Sequence, residues 1–178
     1  MGAAWVMEND LQALFEFMEG GDLRSYLVDS RSPREWGTEK LQIAVDIAEA
    51  LVYVHSFAPP LVHRDLKSLN VLLTADVQVK LTDFGVSRLK PDQNAMTAGV
   101  GTGRLLAPEL PYRSLRGTNG NQLADVAMLQ LVSTGQLKPT FSASCPEKVA
   151  ELANRCVAFD PADRPAALEI AYGLRTGH

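Results

Sequence analysis

The side chains best suited to chemistry are two carboxylates, an amide and an ammonium in the stretch 61–85, namely Asp65, Asp83, Asn70 and Lys67. Mg²⁺ prefers hard oxygen ligands, a few from protein and the rest from phosphate and water. Asn70 and Asp83 carry such oxygens. Asp65 can accept a proton from an attacking hydroxyl, and Lys67 can neutralise charge on a transferring phosphoryl group. The set favours handling of a metal-bound anion; the alternative is a solvated loop whose charges cap nearby helices.

These residues flank a predicted β-hairpin. Apolar residues run from Val71 to Leu73 and alternate with polar ones from Val77 to Leu81, and Ala75-Asp76 between them forms a turn. Alternation with a period of two is typical of a short strand. A hairpin brings its two ends together, so Asn70 before it and Asp83 after it are expected to share one site.

Three sequence motifs resemble those of the eukaryotic protein kinases. His63 to Asn70 reads HRDLKSLN, Asp83 to Gly85 reads DFG, and Gly101 to Glu109 reads GTGRLLAPE. They are similar to the catalytic loop, the metal-binding motif and the end of the activation segment of that family, and the resemblance extends over nearly the whole chain. It implies a protein serine/threonine kinase that transfers the γ-phosphate of ATP to Ser or Thr hydroxyls of a protein substrate, with ATP and Mg²⁺ as cofactors.

The resemblance also implies roles for single residues. Asp65, Lys67 and Asn70 would be catalytic, and Asn70 and Asp83 would bind the metal. Lys67, two residues after Asp65, favours Ser/Thr over Tyr as the acceptor. Among Ser/Thr kinases, the loop and the hinge look most like the tyrosine-kinase-like group.

A second region of interest surrounds Gly20-Gly21. From the residues alone, the glycines form a flexible break and Asp22 is a helix N-cap. The resemblance places the hinge between two lobes here, at 18–22, with Phe15 as gatekeeper, and the two interpretations are compatible. The residues expected to contact the nucleotide are Glu16 and Met18, through backbone groups that bind adenine, together with Leu72 and Asp83.

The implied fold class is α+β and protein-kinase-like: a mainly α-helical C-lobe with short β-hairpins and a remnant of the N-lobe sheet. We expect one incomplete kinase domain over 1–178, with an N-lobe strand remnant at 1–17, the hinge at 18–22 and the C-lobe at 23–178. The clearest helix is Thr38 to Phe57, apolar around most of its circumference and therefore buried. Further helices are expected at Gln122 to Val132, after a capping box at Ser144 to Glu147, and through Leu174.

The polar segment from Val86 to Leu106 corresponds to the activation segment in the resemblance. Its hydroxyls, Ser87, Thr97 and Thr102, could accept phosphate that pairs with Arg64; the alternative is that they are ordinary loop hydroxyls. Thr102 also fits a role beside Asp65 and Lys67. The resemblance further predicts an ion pair between Glu109 and Arg164.

The sequence departs from the kinase pattern in two places. It contains no G-x-G-x-x-G loop and no lysine on a preceding strand. The loop Leu110 to Gln122 stands where kinases place a long apolar helix. A non-catalytic, truncated fragment that acts as an interaction module is therefore the alternative function, and self-association through exposed apolar surface is expected.

Composition sets broad limits on the class of protein. The 178 residues are 46% hydrophobic, with a net charge of −4 and a pI near 5.4, which fits one globular domain and gives no support for nucleic-acid binding. The chain has only two cysteines and they lack metal-ligand spacing, so neither a disulfide framework nor a cysteine metal site is expected. No apolar run reaches transmembrane length and no secretory signal is evident, so a reducing, cytoplasmic setting without membrane contact is expected.

Overall fold

The computed structural model describes residues 2–4, 12–29, 36–89 and 125–176. Within this part, all the strands lie before residue 90 and the secondary structure from residue 125 onward is helical. The strands are β1 (Gly2–Ala4), β2 (Gln12–Leu14), β3 (Gly21–Asp22), β4 (Leu61–Val62), β5 (Val71–Leu73), β6 (Val79–Leu81) and β7 (Arg88–Leu89). The helices are α1 (Leu23–Val28), α2 (Thr38–His55), α3 (Asp125–Ser133), α4 (Glu147–Cys156) and α5 (Ala167–Thr176), with 3₁₀ turns at Ser68–Asn70, Phe84–Val86 and Pro161–Asp163.

Helix α2 is the centre of the core. It packs along α5, and an ion pair between Glu49 and Arg175 joins the two helices at the surface. The predicted start at Thr38 is confirmed, but α2 ends at His55 rather than at Phe57. The Ser56 amide bonds the carbonyls of Val52 and Tyr53, which closes the last turn. The buried residues of α2 are Lys40, Ile43, Ala44, Val45, Ile47, Ala48, Leu51 and Val54.

Lys40 is a buried cation in the first turn of α2, only 2% exposed. Burial lowers the pKa of its ammonium because desolvation disfavours the charged form. Lys40 lies one turn before Ile43 and Ala44 on the same face of α2, so the helix buries a lysine on a face that is otherwise apolar.

The predicted hairpin is confirmed. Strands β5 and β6 pair antiparallel, with Val71 opposite Leu81 and Leu72 opposite Lys80. Strand β3 adds to the other side of β5, so that the sheet order is β3-β5-β6. Val77, in the connection, has a positive φ of 62°, and its amide donates to the Thr74 carbonyl at 3.0 Å. Asn70 directly precedes β5 and Asp83 closely follows β6, so this sheet positions two residues of the candidate site.

A pair of strands also lies near the N-terminus. Strands β1 and β2 are antiparallel, with Gly2 opposite Leu14, and residues 5–11 between them lie outside the described part of the chain. The small antiparallel sheets and the helices together confirm the α+β, kinase-like fold class. None of the helices in the described ranges is long and apolar enough to cross a membrane.

The predicted capping box at Ser144 to Glu147 is wrong. Helix α4 begins at Glu147 with Pro146 as its N-cap, and no side chain caps it. The Ser144 hydroxyl instead lies 3.0 Å from that of Ser142, because the local turn offers it a nearer partner. The apolar face expected for this helix is confirmed by the buried Val149, Ala153 and Cys156.

Candidate active site

The candidate catalytic residues lie in the loop between β4 and β5. Lys67 Nζ is 2.5 Å from Asp65 Oδ2. The Asn70 side chain donates from Nδ2 to the Asp65 backbone carbonyl at 2.8 Å and to Asp65 Oδ2 at 3.2 Å. Asn70 is buried and Asp65 is partly exposed. The structure therefore brings together the three side chains that the sequence assigned to catalysis.

The electrostatics of the loop favour an ionised Asp65. The hydrogen bond from Lys67 holds the pKa of the Asp65 carboxyl below its usual range, and the hydrogen bond from Asn70 acts in the same direction. Desolvation opposes this effect but is the smaller contribution. At neutral pH the carboxylate is available to accept a hydrogen bond or a proton.

Asp83 reaches the same end of the hairpin through the backbone. The Thr82 amide donates to the Asn70 carbonyl at 3.0 Å, which continues the β5–β6 ladder by one residue and places Asp83 next in sequence. Asp83 has a left-handed backbone, with φ 62° and ψ 62°, and its side chain is exposed. A Cβ on Gly85 would lie 3.4 Å from Asp83 Oδ1, so the Asp83 carboxylate lies over the following turn.

His63 is a buried contributor to the site for which sequence reasoning found no role. The Asp65 amide donates to His63 Nδ1 at 3.3 Å, so Nε2 carries the ring proton and donates to the Thr82 carbonyl at 2.9 Å. The imidazole also lies 4.7 Å from the Phe84 ring, centroid to centroid. Its position before Arg64-Asp65 was the available signal, but a pairing across 19 residues cannot be read from local pattern.

The segment predicted to bind adenine lies against the β5–β6 hairpin. The Gly20 amide donates to the Leu73 carbonyl at 3.0 Å, and the Gly21 amide donates to the Met18 carbonyl at 3.1 Å. Glu16 forms an ion pair with Lys80. Leu72, the expected contact below the base, is half-buried on β5 opposite Lys80.

Asp22 is confirmed as the N-cap of α1. Its carboxylate accepts from the Ser25 amide at 2.9 Å and from the Ser25 hydroxyl at 2.8 Å. The cap fixes the direction in which the chain leaves the Gly20-Gly21 region. The structural interpretation of Asp22 is therefore confirmed, and the assignment of the hinge to 18–22 stays a prediction.

Several predicted residues lie outside the described part of the chain: Thr97, Thr102 and Glu109. Ser87 is described, and its hydroxyl donates to the Phe84 carbonyl at 2.6 Å. Arg164 Nε donates to the Ala158 carbonyl at 2.8 Å. The ion pair between Glu109 and Arg164 thus stays a prediction, as does phosphate binding by the exposed Arg64.

The donor atoms fit magnesium better than a softer metal. Asn70 uses its Nδ2 on Asp65, which leaves Oδ1 as a hard oxygen ligand, and Asp83 supplies carboxylate oxygens. In the described ranges, no group of three or more His, Cys, Asp or Glu residues could hold a metal ion by itself. A site with so few protein ligands suits Mg²⁺ that is also held by phosphates and water.

A loop that carries a carboxylate, a lysine and an asparagine, joined by a β-hairpin to a DFG motif, is typical of a protein kinase site. A profile of the protein kinase domain matches residues 3–119, and the chain belongs to the protein kinase family. A "probable LIM domain-containing serine/threonine-protein kinase" of Dictyostelium discoideum is 33% identical over 90% of this chain and 27% of its own length.

Two further relatives come from the same organism. A "probable serine/threonine-protein kinase" is 30% identical over 89% of this chain and 42% of its own length. An "RGS domain-containing serine/threonine-protein kinase A" is 30% identical over 92% of this chain and 16% of its own length. The chain thus spans less than half the length of each of these relatives.

Proposed function

We propose that this domain is a protein serine/threonine kinase domain that binds Mg·ATP and transfers the γ-phosphate to Ser or Thr hydroxyls of a protein substrate. The observation that carries the proposal is the contact of Asp65 with both Lys67 and Asn70, beside the strand that leads to Asp83. The names of the relatives support serine/threonine specificity.

Each side chain has a defined task in this proposal. Asp65 orients the acceptor hydroxyl and accepts its proton. Lys67 offsets charge on the transferring group, and its bond to Asp65 keeps that carboxylate ionised. Asn70 and Asp83 would hold Mg²⁺, which would supply positive charge beside the phosphates.

The nucleotide base is assigned to the segment that crosses the hairpin. Backbone groups of Glu16 and Met18 would bind adenine, and Leu72 would contact its face. Residues 18–22 then form the hinge, with the N-lobe remnant at 1–17 and the C-lobe at 23–178. The free cysteines, Cys145 and Cys156, support our further proposal of a reducing, cytoplasmic setting.

We also propose that the 178-residue chain alone does not reach a measurable kinase rate. Phosphoryl transfer depends mainly on positioning and on charge stabilisation. The described site supplies the side that faces the acceptor and the metal. The glycine-rich loop and the strand lysine, which would hold the phosphates from the other side, are not in this sequence.

A second candidate function is an interaction module without catalysis. The observation that favours it is the exposure of large apolar side chains before the hinge, with Phe15 75% and Phe17 80% exposed. Exposed apolar patches mark surfaces that associate with a partner or with another copy. Self-association through this surface is the form we propose.

Nucleotide binding is the direct test of the kinase proposal. We expect the chain to bind a fluorescent ribose-labelled ADP in the presence of Mg²⁺, and we expect Asp83→Ala to remove the dependence on Mg²⁺. Binding that is absent, or that is unaffected by Mg²⁺ and by Asp83→Ala, would overturn the assignment of the site.

Phosphotransfer from radiolabelled ATP to a generic Ser/Thr substrate tests the chain's own activity. We expect no turnover above background, with Asp65→Asn and Asp83→Ala as controls. Turnover of about 1 s⁻¹ or more, typical of a working kinase, that both substitutions abolish would show that the chain is active alone.

A further inference from the structure

We propose that Lys80 is a positioning residue for the nucleotide base and that its ion pair with Glu16, just before the hinge at 18–22, holds the segment 16–20 over the β5–β6 hairpin. The inference rests on the proposed nucleotide binding. It adds Lys80, which is not among the site residues predicted from the sequence. Lys80 and Glu16 are separated by 64 residues, so their contact reflects the fold and not the local chain.

The register of the β5–β6 pair places Lys80 beside the residue proposed to contact the base. Lys80 on β6 lies opposite Leu72 on β5, and Leu72 is the residue proposed to contact the base. An ion pair from Lys80 to Glu16 therefore runs from the strand beside this contact to the segment whose backbone would bind the edge of the base.

The other end of the segment 16–20 is held by backbone contacts with β5. The Gly20 amide bonds the Leu73 carbonyl at 3.0 Å, and Gly21 pairs with Leu73 in the sheet. A Cβ on Gly20 would lie 2.4 Å from the Thr74 carbonyl oxygen, so only glycine permits this approach. The two anchors, Glu16 and Gly20, enclose the three residues between them, including Met18.

Apolar packing does not replace the first anchor. Leu14, Phe15 and Phe17 are 57%, 75% and 80% exposed, so the side chains on both sides of Glu16 face solvent in the described structure. Among the described residues, the ion pair with Lys80 is the side-chain contact that joins Glu16 to the hairpin. Loss of Lys80 should therefore release the segment that carries Glu16 while leaving the Gly20 anchor in place.

The expected effect is small, because the lysine and glutamate side chains are 48% and 61% exposed. Exposed ion pairs contribute little and are screened by salt, which corresponds to an affinity change of about two- to fivefold. Its selectivity is more informative than its size. A displaced hinge weakens recognition of the adenine edge and leaves the contacts of the phosphates with Mg²⁺ and Asp83 unchanged.

The experiment measures Mg²⁺-dependent binding of ribose-labelled fluorescent ADP and GDP to the 178-residue chain at low ionic strength. We expect Lys80→Ala to weaken ADP binding by about two- to fivefold, to leave GDP binding unchanged, and to lose its effect at high salt. Lys148→Ala, which removes an exposed lysine from α4, is the matched control and should change neither affinity.

A charge swap separates positioning from general destabilisation. Lys80→Glu should weaken ADP binding at least as much as Lys80→Ala, and the double variant Glu16→Lys with Lys80→Glu should restore it to within about twofold of the original. Equal losses for ADP and GDP, no loss in Lys80→Ala, or no rescue by the swap would each overturn the positioning role while leaving nucleotide binding in place. Absence of ADP binding by the unsubstituted chain would overturn the proposed function and this inference with it.

Discussion

His63 joins the candidate catalytic loop to the strand before Asp83 by donating from Nε2 to the Thr82 carbonyl at 2.9 Å. The same ring accepts from the Asp65 amide and lies against Phe84. One buried imidazole thus sets the position of Asp65 relative to Asp83, although neither carboxylate contacts it through its side chain. The geometry of the site depends on this residue as well as on the groups that would touch substrate.

Replacing His63 should therefore loosen both sides of the site. We expect His63→Ala to lower the free energy of unfolding by about 1–3 kcal/mol, because it removes a buried hydrogen bond and leaves the Thr82 carbonyl without its donor. Urea denaturation measures this change, and amide hydrogen exchange at Asp65 should become faster. His55→Ala, at the end of α2, is the matched control with a smaller loss; equal stability of the two variants would contradict the prediction.

The low pKa of Asp65 depends on Lys67, the first of its causes. The pKa of Asp65 is lower in the folded chain than in the unfolded chain. The ionised carboxylate therefore stabilises the fold above the unfolded-state pKa, and this stabilisation is lost as pH falls through the folded-state pKa. Lys67→Met should raise the pKa of Asp65 toward the usual value of an aspartate carboxyl and move the loss of the ionised form to higher pH. Carbon NMR of the Asp65 carboxyl measures the titration. An unchanged midpoint, with Lys148→Met as control, would refute the role of Lys67.

Cys156 should be inert in the folded chain. Burial raises the pKa of its thiol from 9.0 to about 11, so almost no thiolate forms at pH 8. A thiol reagent should modify the half-buried Cys145 first and Cys156 only after denaturant is added. Since the unfolded thiol ionises first, stability should fall as pH rises between about 9 and 11. Rapid labelling of Cys156 without denaturant would contradict its burial.

The apolar side chains before the hinge should make the chain associate. Phe15 and Phe17 are the most exposed large apolar residues in the described part of the chain. We expect the chain to bind a hydrophobic dye and to sediment as more than a monomer at micromolar concentration. Phe15→Ser with Phe17→Ser should reduce both signals, whereas Leu168→Ser on α5 should reduce them less. A monodisperse monomer that binds no dye would rule out this surface as an association site.

Elements with a strong local pattern were predictable from the sequence. The alternation from Val77 to Leu81 and the apolar circumference of α2 reflect burial, and burial follows directly from side-chain type. The Asp22 cap was predictable because an Asp side chain just before a helix can accept from a free amide of the first turn.

The remaining features depend on partners that are distant in the chain. The His63–Thr82 bond and the Glu16–Lys80 ion pair join residues separated by 19 and 64 positions, and no periodicity encodes either. The capping box failed for a local reason, since the Ser144 hydroxyl has Ser142 within 3.0 Å. Family motifs supplied the site residues, but their contacts came only from the fold.

The left-handed backbone of Asp83 lowers the stability of the fold, whereas the Asp83 side chain is needed for the proposed binding of Mg²⁺. A residue with a Cβ at φ 62° costs free energy that glycine would not, of order 1 kcal/mol. Asp83→Gly should therefore fold at least as well as the original chain while losing the carboxylate proposed to hold Mg²⁺. Selection of variants by solubility or melting temperature alone would favour glycine here and would discard the chemistry.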